Sequence, residues 1–235
     1  MITLAIDTSS ASGSVALVDD GRLAAEWTVG DVGLHARWLS RSIAAFLASA
    51  GCAAGDVDLF ALTTGPGSFT GLRIGVSAVK GLAWTLGRPV AGVSTLEAIA
   101  MNVPYAGRLV CPVLDARKKE VYAALYRLDG PEAVAVMPDS AMSPAALFER
   151  IERLCGPLGP VFLGSGLGAY GDLIRERVPG AELAPEPLWH LRASNVALIA
   201  GRPGAARVDA SGLVPVYLRR SEAEIKGRAA RNRQV

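Results

Sequence analysis

ITLAIDTSSASGSVALVDDGRLAAEWTV, residues 2–29, sets the topology of the chain. Ile2–Asp7 is an apolar run of strand length and Ser14–Val18 is a second. Asp19-Asp20-Gly21 then supplies the positive-φ residues of a tight hairpin into Arg22–Val29, so three antiparallel strands open the chain. Asp7 ends the first strand and is followed by Thr8, Ser9, Ser10, Ser12 and Ser14. Such a hydroxyl-rich turn suits contact with a phosphate or metal, and it equally suits an Asx or Ser/Thr turn that only closes the hairpin.

Outward from this stretch, Leu39, Ile43, Phe46 and Leu47 recur at helical spacing within His35–Ala50, and Gly51 ends the run. The pattern then predicts strand Val57–Thr63, helix Arg73–Leu86, strand Pro89–Val93 and a short helix Thr95–Met101. A second series follows. Leu109–Leu114 is a strand ending at Asp115, a turn at 116–119 leads into strand Glu120–Leu128, and Val134–Met137 adds a third. Ser143-Pro144 starts a helix through Leu154, followed by strand Val161–Leu163 and helix Leu167–Arg177. The order βββαβαβα is thus followed by βββαβα, with Asp7 and Asp115 at matching places. This is an α/β chain of two RNase H-like halves, the second reduced, as in the actin/Hsp70/sugar-kinase (ASKHA) fold, where a ligand lies between the halves. Residues 1–105 read as the first half, 106–218 as the second and 219–235 as a basic tail.

The stretch TTGPGSFTGLRIG, Thr63–Gly75, sits where nucleotide-binding proteins place a phosphate cradle, yet it lacks the lysine and hydroxyl of a P-loop and misses the G-x-G-x-x-G spacing by one residue. Glycines ahead of a helix can aim N–H groups at an anion or simply let the helix lie close on the sheet, and spacing leaves both open. Candidate phosphate or nucleotide contacts are Asp7, Thr8, Ser9, Gly65, Gly67 and Ser68. Gly164-Ser165-Gly166 follows strand Val161–Leu163, at the place of an adenosine contact in this fold or as a plain glycine turn. Gly75, Ala78 and Gly81 leave the helix Arg73–Leu86 thin enough for another helix, from this chain or another, to approach.

Composition narrows the function classes. With 235 residues, 51% of them hydrophobic, the chain can bury a substantial core. The uncharged run 59–72 is too short to span a bilayer and the opening residues lack a signal-peptide pattern, so a cytoplasmic protein without membrane contact is expected. Cys52, Cys111 and Cys155 form no C-x-x-C pair, and His35 and His190, the two histidines, have no metal-binding spacing. No catalytic cluster and no metal site is read. The net charge of +2 does not suit a chain that grips nucleic acid over its whole surface. Basic residues gather at the end, where Arg219, Arg220, Lys226, Arg228, Arg231 and Arg233 face Glu222 and Glu224.

TTGPGSFTGLRIGVSAVKGLA, the opening LAIDTSS with SVAL after it, VSTLEAIA, LDARKKEVYAALY and PVYLR together resemble the TsaB (YeaZ) family, densely over residues 1 to 128 and thinly beyond. The resemblance implies the small partner in bacterial synthesis of threonylcarbamoyladenosine, the modified base beside the anticodon of tRNAs. It also implies a noncatalytic relative of the metal-dependent transferase TsaD. TsaD carries an H-x-x-x-H pair around Leu-Glu-Ala; here those positions are Thr95 and Ile99, flanking Leu96-Glu97-Ala98, and neither replaces an imidazole ligand. The implied partners are a TsaD-like subunit, a TsaE-like ATPase, tRNA through the complex, and a second copy when the chain is alone. The implied interface includes His35, Leu39, Arg73, Gly75, Ala78 and Gly81, with ATP or ADP as a candidate ligand at the junction. The basic tail would meet tRNA phosphates or simply be solvated. Two alternatives accompany this reading: a metal-dependent glycoprotease-like peptidase, and a small-molecule kinase of the actin-like fold.

Overall fold

The computed structural model describes residues 1–30, 35–104, 106–130 and 132–219. The first sheet has the order β3-β2-β1-β4-β5, built from β1 (Ile2–Asp7), β2 (Gly13–Asp19), β3 (Arg22–Val29), β4 (Leu59–Gly65) and β5 (Val90–Ser94). The second repeats it as β8-β7-β6-β9-β10, from β6 (Val110–Arg117), β7 (Glu120–Asp129), β8 (Glu132–Met142), β9 (Val161–Leu163) and β10 (Glu182–Leu183). In both sheets the first three strands are antiparallel and the last two join in parallel, β1 to β4 to β5 and β6 to β9 to β10. The sequence predicts this duplicated order as far as β9 and α5; the two-residue β10 that completes the second sheet is not in the sequence reading.

Alternation along β1 explains how the layers stack. Leu4 and Ile6 face one side with Leu17, Phe60 and Leu62, against Phe46 and Leu47 of α1 (His35–Ser49) and Val76 and Val79 of α2 (Phe69–Leu86). Ala5 faces the other side with Ala16, Ala61 and Ala91, where α3 (Thr95–Ala100) and α6 (Ala193–Gly201) lie between the sheets. Small side chains on that face let α6 approach the strands closely, which accounts for much of the chain's alanine. The far side of the second sheet is covered by α4 (Pro144–Leu154) and α5 (Leu167–Arg177) through Leu147, Ile151, Leu167 and Ile174. Of the three free cysteines, Cys111 is fully buried and Cys52 and Cys155 are partly exposed.

Several elements differ from the sequence reading. Helix α2 begins at Phe69 rather than Arg73, because the Ser68 hydroxyl accepts from the Gly71 N–H at 3.2 Å and caps the first turn. Ala54–Asp56 is a 3₁₀ turn, so β4 starts at Leu59. Strand β8 runs to Met142 as an edge strand, its alternation in sequence obscured by Pro138. Helix α6 has no counterpart in the sequence reading, since ASNVALIAG is apolar on nearly every side and has no polar face to reveal its period.

Helix α6 also returns the chain to the first half, packing on β1, β2, β4 and β5. Val208 and Val90 exchange backbone hydrogen bonds at 2.9 Å, and the Val216 N–H donates to the Thr64 carbonyl at 2.8 Å. By packing, residues 193–216 therefore lie with the first sheet, although element order assigns 106–218 to the second half. Of the basic tail, Arg219 is described and Arg220 to Arg233 lie outside the described residues.

Candidate functional site

The turn after β1 is closed by its own side chains. Asp7 is fully buried, and its Oδ1 accepts from the Ser9 N–H at 3.0 Å and from the Thr63 hydroxyl at 2.5 Å. The Thr8 hydroxyl donates to the Gly71 carbonyl at 2.8 Å, and the Ser68 N–H donates to the Ser9 carbonyl at 2.7 Å. A Cβ at Gly67 would collide with the Ser9 carbonyl oxygen, at Gly71 with that of Thr8, and at Gly75 with the Thr8 hydroxyl. The glycines thus serve the close seating of α2 on the turn. Gly65, at φ 127°, packs beneath the Val216 carbonyl. The donors that would form a phosphate cradle at Thr8, Ser9 and Ser68 are engaged within the protein. Ser9 Oγ is the exception, buried and without a hydrogen-bond partner.

Beside this turn, α1 and α2 form an open apolar groove of about 790 Å³, lined by Leu39, Ile43 and Leu47 from one helix and Ile74, Ala78 and Leu82 from the other. Ala44 and Ser77 stand exposed on its walls. Leu39 is 2% exposed and forms the floor. Gly75 points inward to Thr8, so it contributes helix packing where the sequence reading makes it an interface residue. Gly81 is exposed, with open space where a Cβ would stand. The side chain of His35 lies outside the described residues. Ile43, Ile74 and Leu82 were missed as groove residues, although their i, i+4 relation to Leu39, Ala78 and Ala78 in turn marks one face of each helix.

At the end of the groove the exposed Arg73 donates from Nε to the Tyr217 hydroxyl at 3.1 Å, with its guanidinium carbon 5.6 Å from the centre of the Phe69 ring. Phe69 and Tyr217 are stacked, with centroids 4.2 Å apart and planes within 5°. The sequence signal for this cluster is the PVYLR stretch. Arg73 lines both the groove and a larger cleft of about 1130 Å³ between the halves. Asp115, the counterpart of Asp7, faces this cleft half-buried and accepts from the Arg117 N–H at 2.8 Å.

On α3, Thr95 and Ile99 are buried at 0% and 1% exposure, and Thr95 Oγ1 has no hydrogen-bond partner. Among the described residues no three His, Cys, Asp or Glu side chains gather closely enough to hold a metal. An aliphatic Ile99 packed in the core and one hydroxyl do not fit a bound metal ion. Ser94 caps α3, its Oγ accepting from the Leu96 and Glu97 N–H groups at 3.1 and 3.2 Å. Beneath it, Tyr126 donates to Asp139 at 2.7 Å, and burial together with the Asp139 charge raises the phenol's pKa.

A family model described as TsaD, tRNA N6-adenosine threonylcarbamoyltransferase, matches residues 33–227. The tRNA threonylcarbamoyladenosine biosynthesis protein TsaB of Bacillus subtilis is 33% identical over 96% of this chain and 97% of its own length. The chain belongs to the TsaB family. The solved structure of YeaZ from Pseudomonas aeruginosa, 34% identical, superposes with a TM-score of 0.75 over 92% of this chain and 99% of its own. The ethanolamine utilization protein EutJ of Carboxydothermus hydrogenoformans, 11% identical with a TM-score of 0.53, shares the fold alone. In this TsaB-family chain the actin-like fold carries a sealed Asp7 turn, an α3 without metal ligands and an exposed helical groove.

Proposed function

We propose that this chain is a noncatalytic scaffold subunit that works with a TsaD-like transferase and a TsaE-like ATPase to place threonylcarbamoyl on the adenosine beside the tRNA anticodon. The observation that carries the reading is the α1/α2 groove: Ile43, Ile74, Ala78 and Leu82 remain partly exposed around a floor of Leu39 and Leu47. Covering such a face removes apolar area from water at roughly 25 cal/mol per Å² before the costs of association. A TsaD-like subunit is the occupant in the complex, and a second copy of this chain covers the same groove when it is alone.

Thr95 and Ile99 support the noncatalytic part, because the pair of positions supplies no imidazole. The peptidase alternative needs that metal, and the kinase alternative needs the phosphate cradle whose donors are engaged around Asp7 and Ser9. No helix among the described residues is long and apolar enough to cross a membrane.

Reconstitution tests the reading. A TsaD-like transferase and a TsaE-like ATPase supplied with ATP, the threonylcarbamoyl donor and tRNA should form the modified base with this chain and fail without it. Transfer by this chain alone, or full transfer in its absence, would contradict the proposal.

A further inference from the structure

We infer that the mouth of the cleft between the halves is an RNA-binding surface that grips a phosphodiester backbone through the basic turn Arg117-Lys118. The inference rests on the proposed role in tRNA modification and adds a contact surface separate from the α1/α2 groove.

Charge is concentrated there. The chain has 24 basic and 22 acidic residues; six basic and two acidic ones fall in 219–235, leaving 18 against 20 over residues 1–218. Against this slightly acidic background the described lining of the cleft holds Arg37, Arg73, Arg117, Lys118 and Arg219, with Asp115 as its one acid. An excess of cations converging on one concavity, in a body of opposite average sign, focuses attraction on a polyanion.

The turn is also held in place at a cost. Arg117, Lys118 and Lys119 have φ of 63°, 53° and 63°, a run of left-handed non-glycine residues. Each such residue is disfavoured, and a run of three persists when the surroundings over-determine it. The tight β6–β7 hairpin does this, since Arg117 pairs with Glu120 across the two-residue turn Lys118-Lys119, and Arg219 braces it, donating to the Ala116 carbonyl at 2.9 Å and pairing with Glu120 at 3.2 Å, while Asp115 accepts from the Arg117 N–H. The result presents Arg117, 87% exposed, and Lys118 beside the cleft. The ion pair of Arg117 with Asp115, at 3.5 Å and largely in water, is a weak competitor for a phosphate at Arg117.

Two features favour an RNA strand over a free nucleotide. The cations Arg37, Arg73, Arg117 and Lys118 stand exposed at the rim, where a chain of phosphates can run past them. Most of the buried donors that would surround a small phosphate are spent within the protein, the Thr8 hydroxyl and the Ser9 and Ser68 N–H groups among them, which leaves the Ser9 hydroxyl alone. The stacked Phe69 and Tyr217 rings beside Arg73 add an aromatic face on which an unpaired base can stack.

The test is anisotropy of a fluorescent, unmodified tRNA transcript titrated with the full chain, alone and bound to a TsaD-like partner, over a range of salt. Arg117→Asn with Lys118→Asn removes both charges while keeping residues that tolerate left-handed φ. Affinity should fall about tenfold near 100 mM salt, and the slope of log K against log salt should become shallower by about two. Arg117→Lys with Lys118→Arg should restore both, which separates lost charge from a damaged turn. Unchanged affinity and slope in the Asn variant would overturn the inference. Displacement of the transcript by ATP, with ATP binding lost in the same variant, would overturn it in favour of a nucleotide site. Co-purification of the Asn variant with the partner keeps the outcomes distinguishable: failure of wild-type pairing counts against the scaffold reading, and failure of the salt response counts against the cleft.

Discussion

The Ser94 hydroxyl donates to Asp139 Oδ2 at 2.5 Å, joining the end of β5 in one half to β8 in the other. Because the same oxygen accepts two N–H groups of α3, helix capping and the joining of the halves depend on one side chain.

Ser94→Ala should therefore lower unfolding free energy by about 2 kcal/mol, the sum of a lost cap and a carboxylate deprived of one donor. Urea denaturation measures it. Tyr126→Phe, which removes the donor to the other Asp139 oxygen, should cost about 1 kcal/mol by the same measurement.

Two glycines of α2 should respond with opposite sign. Gly71→Ala places a methyl against the Thr8 carbonyl oxygen and should destabilise by about 1–3 kcal/mol, lifting the helix from the Asp7 turn. Gly81→Ala meets open space on an exposed helix surface and should stabilise by about 0.5–1 kcal/mol. Thermal unfolding of the two variants side by side checks both.

Asp209 accepts from the Ser211 hydroxyl at 2.6 Å and the Gly212 N–H at 2.8 Å, bonds that hold its carboxyl below the usual value of 3.8. A depressed folded pKa contributes stability above the unfolded pKa, and that contribution is lost as pH falls through the folded value. The difference in melting temperature between the wild type and Asp209→Asn should accordingly be present at neutral pH and shrink below about pH 4.

The hairpin of β1 to β3 was legible because strand alternation and Asp19-Asp20-Gly21 are local signals, and the duplicated order followed from the same kind of pattern. The start of α2 was not legible, since Gly71 reads as a loop residue until Thr8, distant in sequence, requires a helix without a Cβ. Helix α6 was hidden by burial between two sheets, which removes the polar face on which periodicity depends. For the groove, spacing identified α1 and α2 but not their outward faces. Gly75 and Gly81 lie six residues apart, about 120° around a helix, so one faces Thr8 and the other solvent. Which of them faces out is fixed by the sheet and not by the helix. The Arg117-Lys118 turn was readable as a turn, but its convergence with Arg37, Arg73 and Arg219 arises from tertiary structure.

Pairing through the α1/α2 groove is tested most directly by Ala44→Arg, an exposed position that places a charge on the apolar wall without entering the core. In co-purification with a TsaD-like subunit, the folded variant should lose at least nine-tenths of the partner retained by the wild type, and should run as a monomer where the wild type dimerises. A variant that melts like the wild type and still retains its partner in full would contradict docking at this groove.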